Sequence, residues 1–79
     1  MKIIRMIWDF RGMESKKIAE HHAIHLKEFA DKHSLLPFNY GTIEMSDLYT
    51  IAHLDVNEEH LIFVRDSLKP HRGEWIEEA

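Results

Sequence analysis

Cysteine is absent from the 79 residues, which excludes disulfide staples, thiolate zinc sites and thiol nucleophiles. Glycine is scarce: the three residues stand apart at 12, 41 and 73, so no glycine-rich loop is present to cradle a phosphate. Proline occurs twice, at 37 and 70. No apolar run approaches the roughly 20 residues that a membrane helix needs. The N-terminal KIIRMIWDF is short, charged and without a signal-peptide cleavage pattern, so a soluble, cytoplasmic protein with no membrane partner is expected. Basic charge is also in deficit. Ten Lys and Arg stand against 14 Asp and Glu, a formal net charge of −4, which argues against nucleic acid as a partner.

Histidine is plentiful by contrast. Protonating all seven would carry the formal charge from −4 to +3, so pH sensitivity near pH 6 follows whatever the protein does. The length fits one domain over residues 1–79, burying only roughly 60–65% of the surface its unfolded chain exposes. A core that small, with no disulfide to reinforce it, makes pairing of two copies the simplest way to hide more apolar surface.

Alternation of apolar residues predicts a central strand over Lys2–Phe10, with Ile4, Met6, Trp8 and Phe10 on one side and Ile3, Arg5, Ile7 and Asp9 on the other. Gly12 to Pro37 reads as the main helix. At 100° per residue Ile18, Ala19, His22, Leu26, Phe29, Ala30 and His33 fall in one arc about 120° wide, with Ala23 at its rim. Glu14 is expected in the first turn, and Pro37, which biases Leu36 away from helical angles, marks the stop. Phe38–Met45 and Leu48–Val56 read as a hairpin around Ser46-Asp47, with Gly41 marking a bulge. Asn57 is an N-cap for a second helix striped by Leu61, Val64 and Leu68 and ended by Pro70. Phe63 points off that stripe. The tail from Glu74 to Glu78 has the length of a short edge strand.

The order strand, helix, strand, strand, helix and a possible last strand implies an α+β ferredoxin-like sandwich, βαββα(β), with both helices on one face of an antiparallel sheet. This order resembles the small ferredoxin-like bacterial proteins of unknown function that pair sheet to sheet as dimeric α/β barrels. The resemblance implies a homodimer with a small-molecule ligand and no cofactor. It rests on element order over the whole chain and transfers no site residues.

If the helices cover one face, the other carries Arg5, Ile7 and Asp9 from the first strand and Tyr49, Ile51, His53 and Asp55 from the third. Arg5, Asp9, Tyr49 and His53 are the candidate site, with His53 as a general base and Arg5 as an anion anchor for a small anionic or enolisable ligand. The alternative is a solvated or dimer-paired surface in which Arg5 and Asp9 or Asp55 are ordinary ion pairs. His22 is a weaker candidate, as an acid/base group if it reaches Trp8 and a cavity; otherwise its N–H and that of His33 need an acceptor such as Ser34, Thr50 or a carbonyl. His21 and His25, four apart, have the spacing of a divalent-metal pair but lack an evident third ligand. Lys69 to Trp75, KPHRGEW, could grip an anion or cap the second helix. The serines at 15, 34, 46 and 67 have no His/Asp partner suggested by position, which disfavours nucleophilic hydrolysis.

Overall fold

The computed structural model describes the backbone of residues 2–78 and the side chains of residues 2–76. Its elements are β1 (Lys2–Arg11), α1 (Ser15–Lys32), β2 (Phe38–Ser46), β3 (Tyr49–Asn57), a 3-10 turn (Glu58–His60), α2 (Leu61–Leu68) and β4 (Arg72–Glu78). The strands form one antiparallel sheet in the order β2-β3-β1-β4. This is the expected ferredoxin-like plan, with β1 central beside β3 and the C-terminal stretch supplying a true edge strand. Among the described residues no helix is long and apolar enough to cross a membrane.

Strand parity decides which side chains meet. In the β1–β3 register Ile4 faces Val56, Met6 faces Leu54, Trp8 faces Ala52 and Phe10 faces Thr50. These residues form the core with Ala19, Ala23, Leu26 and Ala30 of α1 and Val64 of α2, and Leu61 and Leu68 pack against them. Both helices therefore cover the same face of the sheet. The Trp8 indole N–H ties the end of α2 to β1 through the Leu68 carbonyl at 3.1 Å.

The buried arc of α1 differs from the sequence reading. Its buried residues are Ser15, Ala19, Ala23, Leu26 and Ala30, an arc turned by roughly 40° from the one centred near His22. Ile18 is 50% exposed, His22 is half-buried and His33 is exposed. The alanines let the helix sit close to a sheet whose own large residues fill the space between, so the bulkier Ile18 is left at the rim. Phe63, off the α2 stripe, packs on α1: its ring stacks on Phe29 at 5.6 Å and meets His33 edge-on at 5.1 Å.

The helix ends are also set differently. Gly12 has a φ of +114°, which favours glycine, and its N–H donates to the Leu48 carbonyl at 2.8 Å. Glu14 is the cap residue rather than a first-turn residue, and its side chain makes no capping bond. At the other end Ser34 has a φ of +56°; its N–H donates to Asp31 and that of Leu35 to Ala30, the paired bonds of a Schellman termination. Leu35 is buried beneath it. The stop is thus made at Ser34, before Pro37 is reached. The hairpin turn is Asp47-Leu48, one residue later than expected, and leaves Leu48 exposed. Asn57 caps through Glu59 N–H at 3.2 Å, but what it caps is the 3-10 turn leading into α2.

Candidate functional site

The other parity of β1 and β3 points away from the helices. Arg5 lies opposite Asp55, Ile7 opposite His53, Asp9 opposite Ile51 and Arg11 opposite Tyr49. Gly41 and Ile43 of β2 flank the same face beside His53 and Ile51, as do Arg72 and Glu74 of β4 beside Ile7 and Arg5. All four expected residues, Arg5, Asp9, Tyr49 and His53, share this face, which no helix covers although its centre is buried, with Ile7 1% and Ile51 4% exposed, and they fall into two clusters.

In the first, Arg5 donates from Nε and Nη2 to the two Asp55 oxygens at 2.9 and 3.0 Å. His53 Nδ1 lies 2.9 Å from Asp55 Oδ1. Asp55 and His53 are only 4% and 6% exposed. Burial alone would push the Asp55 carboxyl up, but the hydrogen bonds from His53 and Arg5 outweigh it and hold Asp55 below the usual carboxylate range. Asp55 is therefore ionised at neutral pH and can only accept, so the shared hydrogen belongs on His53 Nδ1. In the tautomer this favours, Nε2 is the nitrogen that carries the lone pair.

Nε2 faces Gly41. A Cβ at that position would lie 3.3 Å from it, so the glycine makes room for the imidazole. The strand irregularity expected there lies instead between Glu44 and Ser46. Gly41 therefore serves a close approach of side chain to backbone and not a bulge.

In the second cluster the Tyr49 hydroxyl donates to Asp9. Arg72 donates to both Asp9 oxygens, Nη2 to Oδ1 at 3.2 Å and Nε to Oδ2 at 3.3 Å, and Nη2 also reaches the Tyr49 hydroxyl at 3.3 Å. The Arg11 guanidinium lies over the Tyr49 ring, 3.9 Å from its centroid. The Arg72 hydrogen bond holds the Asp9 carboxyl below its ordinary range against the opposing effect of burial, and Tyr49 adds to it. His71 Nδ1 accepts the Asp9 backbone N–H at 2.8 Å, so KPHRGEW helps dock β4 on β1 rather than standing as a free anion grip.

Arg5 is not a free anion anchor, because its guanidinium is engaged side-on by Asp55 in the ion pair that the alternative reading anticipated. Two pairings go beyond the expectation: Asp55, foreseen only as an ion-pair partner of Arg5, also holds His53, and Arg72 holds Asp9. Asp55 was legible, since it is two residues from His53 on the same strand face; Arg72 was not, since the register of β4 cannot be read from an ambiguous tail.

The histidines of α1 lie on the opposite side of the sheet. His22 is held against Trp8 and Phe10, with ring centroids at 5.1 and 5.4 Å. Its Nε2 is buried with no hydrogen-bond partner, as are the hydroxyls of Ser15 and Thr50; the acceptor expected for its N–H is not engaged. His33 stacks on Phe29 at 4.4 Å. The His21 and His25 rings are 4.9 Å apart, and His25 Nδ1 lies 3.4 Å from Glu28. Among the described residues no group of three His, Cys, Asp or Glu side chains is placed to hold a metal. Neither of two cavities among the described residues is lined by His53. One of about 360 Å³ lies beside His22, and one of about 220 Å³ lies between α2 and β4, lined in part by Ile4, Leu61 and Pro70.

No protein-family model matches this chain, and comparison with curated proteins and with solved structures found no significant match.

Proposed function

We propose that the uncovered sheet face is the working surface of this protein, where a small molecule with an acidic proton, such as an enolisable carbonyl compound, is held against His53 without a cofactor. One observation supports this reading: the ordered chain Arg5–Asp55–His53, in which an ionised Asp55 favours the tautomer with Nδ1 as donor and Nε2 as the lone-pair nitrogen. Orientation of a histidine by a buried carboxylate is what general-base chemistry needs. Arg5 is then a positioning residue for Asp55, and with its charge already matched the site favours a neutral proton donor over a strong anion. Asp9, Tyr49 and Arg72 form the polar wall next to it.

The face also suits contact with a second copy. Arg5 is already paired with Asp55 and Asp9 with Arg72, which lowers the cost of taking them out of water, and Ile43 stands exposed among them. A sheet-to-sheet homodimer would place two His53 rings over a shared, water-poor space. A pure association surface without a ligand is the second reading, supported by the same internal pairing.

The test is a thermal-shift and NMR screen of small diketones, keto acids and simple monocarboxylates. Compounds that bind should perturb His53 and Gly41, prefer the neutral enolisable members, and lose about tenfold or more in affinity in His53→Ala, roughly the worth of one well-placed hydrogen bond. Gly41→Ala, which crowds Nε2 without removing a polar group, should weaken them too. Affinity unchanged in both variants, or a screen in which nothing touches this face, counts against a ligand site and for association alone.

A further inference from the structure

A cavity separate from the His53 face lies on the helix side of the molecule. Where β1 ends, this cavity of about 360 Å³ opens against α1, lined by Phe10, Lys17, Ile18, His21, His22 and His25. That volume falls within the roughly 300–1,000 Å³ of small-molecule sites. Its chemistry is specific: four of the six lining side chains are rings, one is an isoleucine that the helix leaves half in solvent, and one is an ammonium. Among the described residues no carboxylate lines it. Glu28 is turned to His25 Nδ1 at 3.4 Å.

His22 forms the inner wall, against Trp8 and Phe10. Its Nε2 is buried and unpartnered within the chain, which is uncommon for a buried polar atom, and the ring that carries it lines the cavity. Burial, aided by the charges of His25 and His71, holds this ring below the ordinary histidine range. At neutral pH the ring is thus uncharged and can exchange a hydrogen bond with a neutral group. Lys17, exposed at the mouth, supplies the positive charge.

We propose that this cavity binds a small planar aromatic monocarboxylate with a polar substituent on its far edge. The ligand ring lies among Phe10, Ile18 and the imidazoles, its carboxylate rests at Lys17, and a small turn of the His22 ring brings the buried Nε2 to its substituent. Stacking favours a flat ring over an aliphatic chain, and the charge at the mouth selects an acid over an amine.

The probes are 4-hydroxybenzoate, benzoate and benzylamine, titrated into the full ¹⁵N-labelled chain in the presence of EDTA, so that His21 and His25 cannot hold a stray metal that recruits the acid. 4-Hydroxybenzoate should shift the amides of residues 10 and 17–25. Benzoate should bind about tenfold more weakly, and benzylamine should leave these amides unmoved, the factor expected from losing one hydrogen bond. Lys17→Glu, at an exposed position, and His22→Phe, which keeps a ring against Trp8, should each weaken 4-hydroxybenzoate about tenfold, with amide dispersion confirming that both variants fold. The proposal is overturned if no shifts appear in this segment, if benzylamine binds as well as the acids, or if both variants bind 4-hydroxybenzoate like the parent.

Discussion

His22 and His53 sit on opposite sides of one sheet, and what surrounds each decides what it can do. Around His53 the partners are ionic, Asp55 at 2.9 Å and Arg5 behind it, and they fix a tautomer. Around His22 they are aromatic rings, which offer no strong acceptor, and burial there disfavours the charged form. The consequence for stability has a definite sign. The folded His22 pKa lies below the 6.5 of the free residue, so below pH 6.5 the unfolded chain takes up the proton first and stability falls as pH drops, levelling off once the folded ring also titrates. Asp55 acts in a lower window: depressed below 3.8, it contributes stability above that value and loses it as pH falls through its folded pKa. Urea midpoints from about pH 7 to about pH 5 should therefore decline in the parent and decline less in His22→Phe. Parallel profiles would show that His22 is as free to charge in the folded chain as in the unfolded one.

At the scale of elements, large apolar residues weigh most in a sequence pattern, while small ones decide how a helix seats. This is why the arc of α1 centred near His22 was legible but turned. The alanines at 19, 23 and 30 carry little apolar signal, yet all are buried against the sheet. The stop of α1 was hidden for a related reason: the left-handed position of its termination is Ser34, where glycine would have announced it. Ser34→Gly relieves the left-handed strain of a residue with a Cβ, offset in part by the greater freedom glycine has when unfolded, and should stabilise the chain by about 0.5–1 kcal/mol, read as a higher urea midpoint at unchanged slope. A lower midpoint would mean that Ser34 contributes more as a side chain than its backbone conformation costs. Lys69, with a φ of +49° at the end of α2, is a second site of the same kind.

At the scale of the molecule, the placement of Arg5 and His53 on one face followed from strand alternation alone, because a period of two survives small errors in where a strand begins. The hairpin turn was misplaced by one residue without disturbing it: Tyr49, Ile51, His53 and Asp55 keep their parity whichever residue starts β3. What could not be read was pairing across the sheet. Arg5 was free to meet Asp9 or Asp55, and only the β1–β3 register gives it Asp55; Arg72 became a partner of Asp9 only once β4 was in place. If the uncovered face pairs with a second copy, sedimentation equilibrium should return about twice the 9.4 kDa of the chain, and Ile43→Lys, which places an unmatched charge on that face, should return the monomer at tens of micromolar. A monomeric parent at that concentration would leave the face to a ligand or to solvent.

Everything proposed for His53 requires a bare Nε2. Long-range ¹H–¹⁵N correlation of the imidazole at neutral pH reads this directly. The expected result is Nδ1 protonated and Nε2 unprotonated in the parent, with the preference lost in Asp55→Ala. Protonation at Nε2 in the parent would contradict the account, because the only nitrogen facing Gly41 would then have no lone pair to offer.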